Sequence, residues 1–230
     1  ARSTGDAAAA PDLVENFVFS HGGDPKLESV PVPSDPPGFQ AAVEAYWAQL
    51  AWLRDTLMEL SAVALGLPPG HFRPSFAEPK CSLRLGYYAA LPAKESERPS
   101  GAMRYGAHTD YTGFTLLRQD PRVSGLEVQA ADGGWHAVPP QPDAFVVNAG
   151  DLIQVWTNDR WRSPPHRVVN PPAGSAPQPR LSLVFFTGPS DDTIVEALPG
   201  THGPDRPRRY EPVSAREHLL RKLQLTSARL

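Results

Sequence analysis

Residues 105–110 read Tyr-Gly-Ala-His-Thr-Asp, and residues 163–168 read Ser-Pro-Pro-His-Arg-Val. His108 and Asp110 are two positions apart, so both side chains project from one face if this stretch is an extended strand. If a facing strand supplies His166, two imidazoles and one carboxylate can occupy one face of an octahedral metal ion. Three positions then stay open, which is typical of non-heme Fe(II) sites that activate oxygen. The chain has seven histidines, so this motif alone is a weak indication.

A second motif, Arg180-Leu-Ser182, opens another apolar run. Arg180 and Ser182 share a strand face, and a guanidinium beside a hydroxyl suits a carboxylate ligand. An unpaired buried charge is costly, so an arginine in an apolar strand requires an anion. The alternative is a salt bridge to an internal Asp or Glu side chain.

The composition excludes several classes of protein. The chain has 230 residues with 27 prolines, one cysteine and a net charge of −3. Proline ends helices, which argues against a helix bundle or a long coiled coil. The mild acidity predicts neither a nucleic acid partner nor a membrane partner, and no apolar run is long enough to span a bilayer. A lone Cys81 and an Ala-rich start without signal-peptide features favour a cytoplasmic protein.

The pattern along the chain predicts one domain over residues 1–230, mainly β. Residues 1–37 are expected to be irregular because prolines interrupt them, whereas apolar residues at helical spacing predict a long helix over 38–66. A coiled-coil role for that helix is the less favoured alternative. A strand-rich core is expected over 80–196, and a helix over 214–227 that begins at a Ser214–Glu217 capping box. The predicted strand runs are Leu83–Tyr88, Phe114–Leu117, Leu126–Val128, Ala144–Val147, Leu152–Trp156 and Leu181–Phe186.

Many landmarks occur in one order along most of the chain, from about Leu13 to about Leu225. Together they resemble the Fe(II)/2-oxoglutarate-dependent dioxygenases, in the branch that includes isopenicillin N synthase. The landmarks that support this resemblance include Pro37-Gly38-Phe39, Leu83-Arg-Leu85, His108-Thr-Asp110, Gly125-Leu126, Gly134-Trp135, Val146-Val-Asn148, Gly150-Asp151, Thr157-Asn158, His166-Arg-Val168 and Arg180-Leu-Ser182.

The resemblance implies a double-stranded β-helix, or jelly roll, with iron inside its open end. The metal ligands would be His108, Asp110 and His166. The cosubstrate 2-oxoglutarate would chelate the iron, and its far carboxylate would meet Arg180, Ser182 and the hydroxyl of Tyr88. In the family, the tyrosine belongs to an Asn-x-Tyr element. This chain departs from it with Gly86 at the asparagine position, so the role of that asparagine is not carried over.

The expected function is oxidation of a small organic molecule by O2, coupled to decarboxylation of 2-oxoglutarate to succinate and CO2. Hydroxylation is the default outcome, with desaturation or ring closure as alternatives. Tyr87, Phe114 and Phe185 are the candidate substrate-pocket residues, and a monomer is expected. Two other functions stay open. One is an iron oxidase of the same fold that does not use 2-oxoglutarate, and the other is a catalytically silent ligand-binding jelly roll.

Overall fold

The structure, a computed structural model, describes residues 10–21 and 33–227 of the chain. Among these residues β-strands outnumber helices, so the fold is mainly β, as the sequence predicts. The strands are β1 (Glu15–His21), β2 (Cys81–Tyr88), β3 (Tyr105–His108), β4 (Phe114–Gln119), β5 (Leu126–Gln129), β6 (Trp135–Ala137), β7 (Val146–Ala149), β8 (His166–Val168), β9 (Arg180–Phe186), β10 (Ile194–Val195) and β11 (Val213–Ser214). The α-helices are α1 (Phe39–Ala64), α2 (Asp151–Trp156) and α3 (Ala215–Ser227), and short 3-10 helices cover Pro74–Phe76 and Glu95–Glu97.

The strands form two larger sheets and one small one. The five-stranded sheet has the order β1-β2-β9-β4-β7, the four-stranded sheet has the order β3-β8-β5-β6, and β10 pairs with β11. All of the pairings are antiparallel. From β2 to β9 the chain passes repeatedly from the larger sheet to the smaller one and back. Prolines stand at these joints, with Pro165 directly before β8 and Pro179 directly before β9, because proline cannot donate a hydrogen bond to a sheet ladder.

Helix α1 packs against the outer face of the five-stranded sheet. Its Leu50 lies in one buried cluster with Leu83 of β2 and Phe185 of β9, and Trp47 meets Phe185 edge-on at 5.0 Å between ring centres. The helix ends at Ala64, and Gly66, two residues later, has a φ of +72°, in the left-handed region that favours glycine after a helix end. This element corresponds to the helix predicted over 38–66.

The predicted strand Leu152–Trp156 is wrong, because these residues form helix α2. Four of its six residues are buried, and Trp156 packs against Phe72 with 5.4 Å between ring centres. The cluster around them includes Met58 and Ala62 from the end of α1. A short apolar run does not distinguish a buried strand from a buried helix by its periodicity, which explains the error.

The sequence predicts an irregular segment over 1–37, but Glu15–His21 of that segment form strand β1, so the prediction is wrong there. This strand pairs with β2 in the register Phe17↔Leu85 and Phe19↔Leu83, and Phe19 packs against the core under α1. The alternation of Phe17 and Phe19 is a strand signal, but it is only a few residues long and lies in a proline-interrupted region. Residues 1–9 and 22–32 of the predicted segment lie outside the described residues.

Helix α3 corresponds to the predicted C-terminal helix. Ser214 precedes it, and the Ser214 hydroxyl accepts a 3.2 Å hydrogen bond from the backbone N–H of Glu217, as an N-cap residue does. No helix within residues 10–21 and 33–227 is both long enough and apolar enough to cross a membrane.

Candidate metal centre

The three predicted metal ligands meet between the two large sheets. His108 ends β3 and His166 begins β8, and the two are direct partners in the β3–β8 pairing. Asp110 follows two residues after His108, and its Oδ1 lies 3.9 Å from His108 Nε2 and 3.8 Å from His166 Nε2. The ligand atoms of all three side chains lie within 4.8 Å of one another. Two imidazole nitrogens and one carboxylate oxygen at this separation can bind one metal ion on a single face.

Neighbouring backbone carbonyls orient the two imidazole rings. His108 Nδ1 lies 2.9 Å from the carbonyl oxygen of Gly106, and His166 Nδ1 lies 3.1 Å from that of Pro164. A carbonyl oxygen can only accept a hydrogen bond, so each neutral ring has its proton on Nδ1. The lone pair of each Nε2 is then free for a metal ion.

The carboxylate of Asp110 is held through its second oxygen. Oδ2 accepts a 2.6 Å hydrogen bond from Thr115 Oγ1 and a 2.7 Å hydrogen bond from Asn148 Nδ2. These two donors lie on β4 and β7 of the five-stranded sheet, so they tie the loop after β3 to the opposite wall. Oδ1 stays directed towards the two histidines, as a ligand atom must be.

The site favours the protonation states that bind metal. Burial, followed by the charge of His166, lowers the pKa of His108 to about 4, so this ring is neutral at neutral pH. Burial tends to raise the pKa of Asp110, but both histidines and the two hydrogen bonds outweigh it, and the pKa lies below its ordinary value. Metal ligands must be deprotonated, and His108 and Asp110 meet that condition.

The triad lines a cavity that also contains the predicted anion-binding residues. The cavity walls include Arg180, Ser182 and Tyr88 from the five-stranded sheet. Most of the remaining lining is apolar, and comes from both sheets: Leu117, Leu126, Val128, Val138, Val146, Val168, Val184 and Phe186.

Arg180 is buried, and none of the described residues offers it a carboxylate partner. Arg180 is 1% exposed. Its guanidinium carbon lies 5.2 Å from the ring centre of Tyr88, the residue on β2 that pairs with Arg180. Nη2 donates a 3.2 Å hydrogen bond to Gln119 Oε1, whereas Nε and Nη1 have no partner among the described residues. Within the same residues Arg180 makes no salt bridge; the nearby Asp120 pairs with Arg122 instead, at 3.1 Å. The described residues therefore do not support the alternative that Arg180 forms a salt bridge with an internal Asp or Glu side chain.

Gly86 makes room beside Ser182. A Cβ atom at position 86 would lie 2.9 Å from Ser182 Oγ and 3.4 Å from Asn16 Oδ1. Gly86 occupies the asparagine position of the Asn-x-Tyr element discussed above. Without a side chain there, the Ser182 hydroxyl lies close to the backbone of β2.

The three predicted substrate-pocket residues do not line the cavity. Tyr87 is 44% exposed, Phe185 is fully buried under α1, and Phe114 packs near Trp161 beside α2. Side chains alternate along a strand, so Tyr87 and Phe185 point to the outer face while their neighbours Tyr88 and Phe186 line the cavity. The prediction is off by one residue on β2 and on β9.

The sequence reasoning missed Arg84 and Tyr105, which both line the cavity. Arg84 Nη1 donates a 3.0 Å hydrogen bond to Tyr105 Oη, and the guanidinium lies 4.8 Å from the ring centre of Phe186. Burial raises the pKa of Tyr105, so its hydroxyl keeps its proton. The available signal was the strand period, since Arg84 is four residues from Tyr88 and therefore on the same face.

Comparison with known proteins agrees with this geometry. Residues 79–189 match the family described as the 2OG-Fe(II) oxygenase superfamily. The structure of a full-length Neurospora crassa protein in complex with alpha-KG and 5-formyluracil superposes with a TM-score of 0.84 at 32% identity, over 96% of this chain and 71% of that one. The chain belongs to the 2OG-Fe(II) oxygenase superfamily. The cofactors of the superfamily are Fe(II) and 2-oxoglutarate.

The chain is also similar to two further proteins, one by its sequence and one by its structure. Validamycin A dioxygenase from Streptomyces hygroscopicus subsp. limoneus is 34% identical over 224 residues, which cover 93% of this chain and 60% of that protein. JOX2, in complex with 2OG, Fe and JA, has a TM-score of 0.79 at 29% identity, over 94% of this chain and 61% of that one. The chain thus spans less than two thirds of the length of several relatives.

The residues of this chain fit both cofactors. Two imidazole nitrogens and a carboxylate oxygen are suitable donors for Fe(II). The buried guanidinium of Arg180 has two nitrogens without a hydrogen-bond partner in the described part of the chain, which suits the free carboxylate of a dicarboxylic acid.

Proposed function

We propose that this chain is the catalytic part of an Fe(II)- and 2-oxoglutarate-dependent oxygenase. It would hydroxylate or desaturate a small organic molecule while 2-oxoglutarate is converted to succinate and CO2. The observation that supports this most is that one cavity is lined by the metal-ligand triad and by Arg180, which has no carboxylate partner among the described residues. A metal site and an anion site in one cavity suit 2-oxoglutarate, which would chelate the metal at one end and place its far carboxylate in the anion site.

In this proposal His108, Asp110 and His166 hold the iron. Three protein ligands leave coordination positions open for the cosubstrate and O2. When bound, the iron supplies the chemistry that couples O2 reduction to oxidation of 2-oxoglutarate and of the substrate. The protein's part is to fix the ligands, and Gly106, Pro164, Thr115 and Asn148 do this through the hydrogen bonds described above.

Arg180, Ser182 and Tyr88 would hold the far carboxylate of 2-oxoglutarate. A guanidinium and two hydroxyl groups can donate several charge-assisted hydrogen bonds to a carboxylate. Arg180 and Tyr88 are cross-strand partners, and Ser182 is on the same face of β9, so one rigid sheet positions all three. This arrangement would orient the cosubstrate from one pair of strands.

The fold proposed for the whole chain is the double-stranded β-helix, as one oxygenase domain with its core at residues 80–196. Four antiparallel strands face a larger antiparallel sheet, and from β2 to β9 the chain passes repeatedly between the two, with only β5 and β6 following each other in one sheet. This order supports two interleaved Greek keys. The apolar walls of the cavity would exclude water from the reacting groups.

The proposed substrate is a small molecule that enters this mainly apolar cavity and meets Arg84 and Tyr105. The Neurospora crassa protein binds 5-formyluracil and JOX2 binds JA in their structures, so relatives accept different small molecules. A monomeric state and the isopenicillin N synthase-like branch remain predictions from the sequence.

Succinate release tests this function against its rivals. The protein, supplied with Fe(II), ascorbate, O2 and 2-oxoglutarate, is expected to form succinate, and a suitable substrate should accelerate the reaction. Asp110→Ala is the matched inactive control, because it removes one ligand and leaves the anion site intact. Oxygen consumption with a substrate panel but without succinate would indicate the iron oxidase that does not use 2-oxoglutarate. No oxygen consumption with any substrate would indicate the silent ligand-binding fold.

A further inference from the structure

A second buried arginine, Arg104, lies close to the Arg180 site. The residue is 1% exposed, as Arg180 is, and only its Nη2 is bonded, through a 2.9 Å hydrogen bond to the carbonyl oxygen of Gln178. Nε and Nη1 of Arg104 have no hydrogen-bond partner among the described residues. Gln178 is two residues before Arg180, and the neighbour of Arg104 in sequence, Tyr105, lines the cavity.

Arg104 and Arg180 interact unfavourably when no anion is bound. Burial, followed by the charge of Arg180, lowers the pKa of Arg104. Neither arginine has a carboxylate within salt-bridge distance in the described part of the chain. Two uncompensated guanidinium groups in one buried region are costly, so this region is built for a negative charge.

Arg98 shows that a buried arginine of this chain can have its guanidinium nitrogens bonded, unlike Arg104 and Arg180. Arg98 is 8% exposed, but it donates hydrogen bonds to the carbonyl oxygens of Pro92, Pro171 and Pro172 and pairs with Glu95 at 3.1 Å. Of the buried side-chain polar atoms left without a partner in the described residues, four belong to Arg104 and Arg180.

We propose that Arg104 is a second cationic residue of the 2-oxoglutarate site, whose charge is offset, together with that of Arg180, by the far carboxylate of the cosubstrate. The proposal rests on the function proposed above. Arg104 does not line the cavity, so it is a positioning residue: it acts through its charge and through its hydrogen bond at the start of β9. The site therefore selects a 2-oxo acid with a second carboxylate more strongly than one arginine would.

Two ligands separate this role from a structural one. 2-Oxoglutarate and 2-oxopentanoate share the 2-oxo acid group, but the second lacks the far carboxylate. Their dissociation constants are measured by anaerobic calorimetry on the Fe(II)-loaded protein. Arg104→Met is expected to weaken 2-oxoglutarate binding about tenfold and to leave 2-oxopentanoate binding unchanged, because only 2-oxoglutarate carries the far carboxylate that the buried charge of Arg104 attracts. Arg104→Lys keeps the charge and should retain most of the preference.

The unfolding temperature without ligand gives a second readout. Arg104→Met removes a repelling charge, so its unfolding temperature without ligand should equal or exceed that of the parent. Addition of 2-oxoglutarate should raise the unfolding temperature of this variant less than that of the parent. Arg122→Met is the matched control, because it removes one exposed cation near Asp120 and should not change the preference between the two ligands.

A third variant keeps the test valid if Arg104→Met does not fold. In Arg180→Met, the remaining Arg104 should still favour 2-oxoglutarate over 2-oxopentanoate severalfold. Equal binding of both ligands by Arg180→Met would overturn the proposal, and so would an unchanged preference in Arg104→Met. A parent protein that binds no 2-oxoglutarate would instead refute the proposed function on which this inference rests.

Discussion

Asn148 Nδ2 donates a 2.7 Å hydrogen bond to Asp110 Oδ2, so a residue of the five-stranded sheet holds a ligand supplied next to the four-stranded sheet. The metal centre therefore joins the two sheets. The other oxygen of Asp110 stays directed at the histidines, and its direction depends on a side chain that itself does not bind metal.

Asn148→Ala is expected to weaken Fe(II) binding by about 10- to 100-fold, because loss of an outer hydrogen bond frees the carboxylate to rotate. Affinity is measured by competition with a chelator of known strength. Asn170→Ala is the control, since Asn170 makes a 2.8 Å hydrogen bond to the Ala102 carbonyl away from the triad. Equal metal affinity in the parent and Asn148→Ala would show that Thr115 alone suffices to hold Asp110.

Gly86→Ala is expected to weaken 2-oxoglutarate binding about fivefold, because the new methyl group would lie 2.9 Å from Ser182 Oγ and displace the hydroxyl. The dissociation constant is measured on the Fe(II)-loaded protein. Gly203→Ala is the control, since no atom lies within 4 Å of its Cβ position. Tighter or unchanged binding would mean that Ser182 does not contact the cosubstrate.

The sequence predicts the triad better than the cavity around it, for a physical reason. His108 and Asp110 are close in sequence, and the strand period places both on one face. His166 is placed opposite His108 by the β3–β8 pairing, which no local pattern contains. The residue pattern offers His166 as a candidate third ligand, and the resemblance to a family makes it the preferred one.

The errors arise where a pattern is short or shifted by one residue. Tyr87 and Tyr88 are adjacent aromatic residues, so the sequence does not show which of them faces inward. Only the Tyr88↔Arg180 pairing decides it. Similarly, β1 lies beside a proline-rich stretch, and its stability depends on pairing with β2, which is distant in sequence.

The core contribution of β1 can be measured. Phe19→Ala is expected to lower the free energy of unfolding by about 2 kcal/mol, because Phe19 packs against the cluster under α1 but remains partly exposed. Val18→Ala on the same strand is the control, since Val18 is 37% exposed and should cost well under half as much. The comparison uses chemical denaturation. Equal effects of the two substitutions would contradict the packing described for β1.

The free energy of unfolding should fall as the pH decreases from about 7 to 5, in part because of His218. Its Nε2 is buried without a partner among the described residues, and burial lowers its pKa below 6.5 in spite of the opposing charge of Asp151. Between the folded and the unfolded pKa the unfolded chain binds the proton more readily, so acid favours unfolding. Lys222 and Arg221 also disfavour the charged ring.

His218→Gln should make this pH dependence shallower, as measured by denaturant titrations at several pH values. His202→Gln is the control, because its ring nitrogens are not among the buried, unpartnered atoms of the described residues. A slope that does not change in His218→Gln would place the acid sensitivity elsewhere in the chain.

Binding of Fe(II) and 2-oxoglutarate in one cavity is tested by the visible spectrum of the protein under anaerobic conditions with both cofactors. We expect a weak visible absorption band that needs both additions. The band should be absent in Asp110→Ala, and in Arg180→Met it should appear only at much higher 2-oxoglutarate concentrations. A parent protein that binds Fe(II) but develops no band at any 2-oxoglutarate concentration would contradict the claim that one cavity holds both cofactors.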